Sequence, residues 1–289
     1  MNLTDIDVIR ELLYKNGFRF SKSMGQNFLT SAWVPEEIAE SAGLDENTGV
    51  LEIGPGIGCL TAELSKRAGK VVSVELDRRL MPVLAETLAG CDNTQVVFGD
   101  ILKMDLSEIV KNDLAGLRPV VCANLPYNVT SPILSRILEA RCFDSVTVMV
   151  QREAAKRICS GPGSGDYSAF SVFCGWYAES ETLFDVPPEC FMPRPKVTSS
   201  VIRMKIRKDP PAVIEDEKLF FRVVKAAFGQ RRKTLANALS AGLCEYSKAE
   251  LTQAVANCGI CAEIRGETLG IDEFAQISDA VYRLRTADL

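Results

Sequence analysis

The four residues Asn124-Leu125-Pro126-Tyr127 place a carboxamide, main-chain carbonyls, a rigid proline and a flat phenol ring side by side. Such a set suits an amino group carried on an aromatic ring. The lone pair of that nitrogen is delocalised into the ring, so it attacks poorly. The side-chain oxygen of Asn124 and a main-chain carbonyl, expected to be that of Leu125, can accept both N–H hydrogens and draw the nitrogen toward tetrahedral geometry. Pro126 fixes its φ and stiffens the turn. Tyr127 offers a face on which a base can stack. Holding the nitrogen in line with an electrophile then does most of the work by proximity. No strong general base is needed, which suits a chain without histidine; the same lack excludes Ser-His and Cys-His mechanisms. Taken alone, the tetrapeptide could equally be a strand-ending turn whose asparagine caps a helix.

A second constellation lies upstream. Leu51-Glu-Ile-Gly54-Pro-Gly56-Ile-Gly58 follows a predicted strand and opens a predicted helix. Glycines there permit a tight turn and let a ligand approach the backbone. Glu75 ends the next predicted strand, where a carboxylate can accept hydrogen bonds from both hydroxyls of a ribose. Asp100 follows the third strand, in Phe98-Gly99-Asp100. A nucleoside ligand is expected. An NAD dehydrogenase shares such a loop and stays open on these residues, but has no use for the Asn-Leu-Pro-Tyr stretch.

The elements that must position these residues follow from the apolar pattern. Short apolar runs at 49–53, 70–75, 95–98, 119–123 and 145–150 read as buried strands. Between them, 59–67, 77–88, 106–111 and 132–140 read as helices. This alternation implies a parallel, doubly wound sheet. Further strands are predicted at 181–186 and 197–207. The second alternates Val201, Met204 and Ile206 with Arg203, Lys205 and Arg207, as a half-exposed edge strand would. Asp209-Pro-Pro211 marks a linker, after which 217–228, 233–241, 248–257 and 271–285 read as helices. The expected class is α/β: a Rossmann-like, mostly parallel seven-stranded domain over 1–208, then a small α-helical domain over 209–289.

The chain of 289 residues is long enough to bury a large core without disulfide or metal staples. No apolar run approaches the ~20 residues of a membrane span. The opening MNLTDIDVIREL has acids and no long apolar stretch, so the expectation is no signal peptide and a cytoplasmic place. Ten cysteines are scattered, and the one close pair, Cys258 and Cys261, lacks the further ligands a zinc site needs, so no metal is expected. The net charge is −5, yet Cys190–Asn237 holds twelve basic residues against four acidic ones. That stripe is either a phosphate-binding surface or a solvated charged face.

Taken together, these stretches resemble the ribosomal RNA small-subunit adenine N6-dimethyltransferase family. Lys22-Ser-Met-Gly25-Gln-Asn27-Phe-Leu29 is similar to its cofactor-covering motif, and the glycine loop and Asn124-Leu-Pro-Tyr127-Asn-Val-Thr-Ser131 are similar to its cofactor and catalytic motifs. Val150-Gln-Arg-Glu153, Phe191-Met-Pro193-Arg-Pro195-Lys-Val197-Thr-Ser199, Phe228-Gly-Gln-Arg231-Arg232-Lys233-Thr-Leu235 and Arg265-Gly-Glu267 extend the likeness over about residues 18–280. The resemblance implies S-adenosylmethionine as cofactor, contacted by Asn27, Leu29, Gly54, Gly56, Glu75, Asp100 and Asn124. It implies that Asn124, Leu125, Pro126 and Tyr127 hold the target adenine, with Phe191 stacking on its other face, and that Arg194, Lys196, Arg231, Arg232 and Lys233 meet RNA. The implied reaction moves four methyl groups to two adjacent adenines in a hairpin loop near the 3′ end of 16S rRNA. The implied partner is a pre-mature 30S subunit, whose biogenesis the protein would serve as a monomer without a membrane. Two alternatives share the fold: a methyltransferase of large-subunit rRNA that confers antibiotic resistance, and an assembly or transcription factor without catalysis.

Overall fold

The computed structural model describes residues 1–18, 20 and 25–286, with side chains through 284 apart from any outside those ranges. Lys22, Ser23 and Met24 of the expected cofactor-covering motif lie outside the described residues. The chain divides into two compact units, Met1–Ala155 with Ser180–Ile206, and Lys156–Glu179 with the chain from Arg207 onward.

The first unit is built on one sheet. In chain order its strands are β1 (Phe28–Leu29), β2 (Thr48–Ile53), β3 (Lys70–Glu75), β4 (Thr94–Phe98), β5 (Arg118–Asn124), β6 (Ser145–Gln151), β7 (Ala178–Val186), β8 (Phe191–Met192) and β9 (Ser199–Ile206). Seven of them form a sheet in the order β4-β3-β2-β5-β6-β9-β7. The strands from β2 to β6 pair in parallel, and β9 runs antiparallel to β6. All six residues of β2 are buried, as expected for a central strand covered on both faces. Chain order moves outward from β2 through β3 and β4, then returns to the other side of β2 with β5. Ligands of such sheets bind at this reversal, beyond the carboxyl ends of the strands.

Helices α1 (Ile6–Lys15), α2 (Trp33–Ser41), α3 (Cys59–Ser65), α4 (Met81–Thr87), α5 (Leu106–Glu108) and α6 (Thr130–Ala140) complete this unit. The first two of them were not among the expected helices; Asp5 caps α1 by accepting from the N–H groups of Asp7 and Val8. Its Ile9, Leu12 and Leu13 pack with Phe18, Phe28, Ile57 and Leu84. β1 and β8 form a separate antiparallel pair, with Leu29 opposite Phe191.

Two expectations need correction. β9 is not an edge strand; it lies between β6 and β7. Its alternating charges face acids of the next strand, as Arg203 with Glu181 at 2.7 Å shows, so the polar face reflects cross-strand pairing rather than an open edge. The division expected at 208/209 lies two residues after the change at Ile206/Arg207, but 156–179, expected in the first domain, groups with the helical unit. Helix α7 (Arg152–Cys159) leads into that stretch, and α8 (Ala169–Tyr177), capped by Ser168, carries the aromatic contact that explains it: Trp176 lies 4.5 Å from Phe220, ring centre to ring centre. Phe220 belongs to α9 (Glu217–Gly229), which is followed by α10 (Leu235–Gly242), α11 (Lys248–Asn257) and α12 (Ile271–Thr286). α10 crosses α9 at Gly242, where an added Cβ would come within 2.5 Å of the Ala226 Cβ. No helix among the described residues is long and apolar enough to cross a membrane.

Candidate active site

β2 ends at Ile53, and the chain turns at once. Gly54, Gly56 and Gly58 have φ of 71°, 61° and 88°, values that other residues adopt only under strain. The turn is held by the Gly54 N–H, which donates to the Val74 carbonyl at 2.9 Å. The Phe28 ring of β1 lies over it, so that a Cβ on Gly56 would stand 3.1 Å from the ring.

Glu75, at the end of β3, is 6% exposed. One of its oxygens accepts from the Asp77 N–H at 2.8 Å and the other from the Gly56 N–H at 3.3 Å. Burial raises its pKa, with those backbone donors opposing the shift. A carboxylate with one donor on each oxygen keeps acceptor capacity for more. Asp100 follows β4; it accepts from the Leu102 N–H at 3.1 Å and lies 3.6 Å from the Lys103 ammonium.

β5 delivers Asn124. Its Nδ2 donates to the Asn27 carbonyl at 3.4 Å, which makes Oδ1 the opposite, accepting end. The Leu125 N–H donates to the Met149 carbonyl of β6 at 3.1 Å, tying the turn to the sheet. Pro126 holds φ −59° and ψ 127°, and Tyr127 starts a short 3₁₀ turn leading into α6. Burial raises the Tyr127 phenol pKa, and the Ser199 hydroxyl opposes it, so the phenol is neutral near pH 7.

These elements enclose a cavity of about 280 Å³. Asn27, Leu29, Gly54, Gly56, Glu75, Asp100 and Asn124 all line it, as do Leu125, Pro126 and Tyr127. Residues spread from 27 to 127 therefore meet in one space. Phe191 does not join them. It is 4% exposed and packs in the core with Leu29, Val34 and Val201. Its flanking prolines suggest an open loop, but pairing of β8 with β1 turns the ring inward.

One residue was missed. Glu52 lines the cavity and is 1% exposed. Burial pushes its carboxyl up to about 7, against the hydroxyls of Ser73 and Thr61, which donate at 2.6 and 2.7 Å. The signal was available: an acid inside Val50-Leu51-Glu52-Ile53, an otherwise apolar central strand.

The basic residues are divided between the units. Arg194 and Lys196 are exposed in the loop before β9, with Arg194 ion-paired to Glu189. Arg231, Arg232 and Lys233 are exposed between α9 and α10, with Arg231 held by Glu267 at 2.9 Å and by the Gly165 carbonyl at 3.1 Å. Cys258 and Cys261 turn to different acceptors, the Ala254 carbonyl at 3.3 Å and the Glu263 carboxylate at 2.9 Å.

Residues 17–281 match the family described as ribosomal RNA adenine dimethylase. The chain belongs to that family. It is 46% identical over 281 residues to the ribosomal RNA small subunit methyltransferase A of Shouchella clausii (strain KSM-K16), covering 96% of this chain and 95% of that protein. Among solved structures it is similar to the 23S rRNA methyltransferase ErmE, with 28% identity, a TM-score of 0.66, and coverage of 88% of this chain and 99% of that one. A dimethyladenosine transferase from Plasmodium falciparum shares the fold, at 21% identity, a TM-score of 0.74, and coverage of 90% and 98%. As a family member the chain is an rRNA adenine methyltransferase, and its methyl donor is S-adenosylmethionine.

The residues that line the cavity fit that donor. The glycine turn leaves backbone open to a ligand, and Glu75 and Asp100 have acceptor capacity suited to sugar hydroxyls and amines, which a nucleoside carrying an amino acid presents.

Proposed function

We propose that this protein dimethylates N6 of two adjacent adenines in a hairpin loop near the 3′ end of 16S rRNA. The observation that carries the reading is the single cavity that joins Glu75 and Asp100 to Asn124-Leu125-Pro126-Tyr127. Bound S-adenosylmethionine would supply an electrophilic methyl group on a sulfonium. Glu75 would take the ribose hydroxyls, while Asn27, Leu29, Gly54, Gly56, Asp100 and Asn124 complete the cofactor's surroundings. The Asn124 side-chain oxygen and the Leu125 carbonyl would accept the two N6 hydrogens, and Tyr127 would carry the base on its face. Each transfer forms an N–C bond, breaks the S–C bond and leaves the N6 proton to solvent, so the chain's work is orientation and hydrogen-bond acceptance.

Small-subunit specificity is supported by 46% identity to a small subunit methyltransferase, against 28% to the 23S enzyme. Arg194, Lys196, Arg231, Arg232 and Lys233 would meet phosphates of a pre-mature 30S subunit, with the helical unit as a docking element and the protein acting as a cytoplasmic monomer. The test is incubation of unmethylated 30S and 50S subunits with protein and isotope-labelled S-adenosylmethionine, followed by nucleoside mass spectrometry. Label in dimethyladenosine of 16S rRNA is the expected result. Label confined to 23S rRNA would place the protein with the large-subunit enzymes, and no label on either would leave an assembly factor.

A further inference from the structure

Tyr127 is anchored at both ends. Its backbone is set by Pro126 and by the tie of Leu125 to Met149. At the far end of the ring, its hydroxyl meets the Ser199 hydroxyl at 2.6 Å. Ser199 opens β9 and is fully buried, opposite Gln151 of β6. In the sheet, β5, β6 and β9 are neighbours, so the tyrosine side chain reaches past the end of β6 to the strand beyond. The residues on either side of Ser199 are tied to neighbouring strands and helices. The carbonyl of Thr198 accepts from the Arg152 N–H at 3.0 Å, and the next hydroxyl, Ser200, donates to Asp185 at 2.5 Å.

We propose that Ser199 is a positioning residue for methyl transfer, fixing the direction of the Tyr127 ring axis so that the platform under the target base is set before RNA arrives. This rests on the reading of Tyr127 as that platform. A hydroxyl–hydroxyl bond does not move when the ring turns about its own axis, but it breaks when the side chain swings about χ1. The bond therefore removes the motion that would carry the ring away from the cavity and leaves contact with the base's face intact. Pre-set geometry matters twice here, because the same platform must accept adenine and then monomethyladenine, whose amino group presents only one remaining N–H. A platform free to swing should lose more at the second transfer than at the first.

The experiment uses the full-length protein with unmethylated 30S subunits and labelled S-adenosylmethionine. Ser199→Ala and Tyr127→Phe should each lower the single-turnover rate about threefold to tenfold, the range of one net hydrogen bond, with cofactor affinity and subunit affinity unchanged. Monomethyladenosine should accumulate in both. The double variant should be no slower than Tyr127→Phe alone, because both substitutions remove one interaction. Ser199→Thr, which keeps the hydroxyl, should restore the product ratio. Tyr127→Phe tests the bond without touching the buried strand, so a poorly folded Ser199→Ala leaves the question decidable. Wild-type rates and product ratios in Tyr127→Phe and Ser199→Ala would overturn the proposal, as would fully additive losses in the double variant. Tyr127→Ala separates the two readings. If it too is as fast as wild type, the platform reading itself fails; if it is slow while Tyr127→Phe is not, only the role of Ser199 falls.

Discussion

The Gly56 N–H donates to Glu75 Oε2 at 3.3 Å, joining the turn after β2 to the acid that ends β3. Glu75 thus supports the glycine turn, and on the proposed reading it also takes the ribose hydroxyls. Glu75→Ala should weaken S-adenosylmethionine binding, since two hydrogen bonds to a charged acceptor are lost, worth ~1.5–3 kcal/mol each. Affinity for the 30S subunit should persist. Calorimetry with the cofactor is the check, and unchanged affinity would remove Glu75 from the site.

Glu52 predicts a pH dependence of stability. Its folded pKa of about 7 stands above the ordinary glutamate value of 4.5, so between these values the folded protein binds more protons than the unfolded chain. Stability contributed by the protonated form is complete at low pH, declines from about pH 4.5 to about pH 7, and levels off above. The total is on the order of 3 kcal/mol. Glu52→Gln, which keeps the shape and removes the titration, should flatten that decline. Denaturant midpoints measured from pH 5 to pH 8 read it directly; parallel curves for both proteins would show that Glu52 ionises normally.

Much of the central sheet was legible because Val50, Leu51, Val71, Val72, Val120 and Val121 are buried in strands covered on both faces, and continuous apolar runs announce such strands. That Gly54, Gly56, Glu75, Asp100 and Asn124 line one cavity was legible because turns after strands need particular residue types. What escaped depended on partners distant in sequence. α8 is nearly all apolar, Ala169-Phe-Ser-Val-Phe-Cys-Gly-Trp-Tyr177, so no polar face marks its period. Phe191 looked like a loop residue because its burial comes from a two-residue strand pairing with Leu29, more than 160 positions earlier.

The burial of Phe191 changes the expected variant. A Phe191 ring stacked on the target adenine would make Phe191→Ala accumulate monomethyladenosine. A ring packed in the core makes it a cavity-forming substitution, which costs about 3–5 kcal/mol of stability. Thermal unfolding should shift strongly downward, with the product ratio per turnover unchanged at low temperature. A normal melting curve with accumulated monomethyl product would return Phe191 to the site.

The basic residues on the helical unit differ in their local ties. Arg231 is already held by Glu267 and Gly165, whereas Arg232 and Lys233 are exposed and have no comparable ion pair among the described residues. Arg232→Ala and Lys233→Ala should each reduce the salt dependence of 30S binding by roughly one unit of slope. Arg231→Ala should reduce it less, because a phosphate contact there competes with Glu267. Binding isotherms across a salt series give the slopes. Slopes equal to wild type in all three would mark the stretch as a solvated face.

Asn124 carries the test of the chemistry. Its side chain has one hydrogen bond among the described residues, from Nδ2 to the Asn27 carbonyl, and at 3.4 Å it is long, so little of the fold depends on that side chain. Its Oδ1 would accept an N6 hydrogen most strongly as the nitrogen loses conjugation and becomes tetrahedral, which places the interaction in the transition state rather than in the bound ground state. Loss of such a group lowers the rate constant and leaves substrate affinity largely in place. Asn124→Ala should therefore slow single-turnover methyl transfer about 10²–10³-fold, with subunit binding near wild type and a modest loss of cofactor affinity. Asn124→Asp restores an acceptor oxygen and should recover part of the rate. Rapid-quench assays with nucleoside mass spectrometry resolve the first and second transfers. Dimethylation by Asn124→Ala at the wild-type rate would mean that the amino group is activated by some other acceptor, whatever the role of the surrounding cavity.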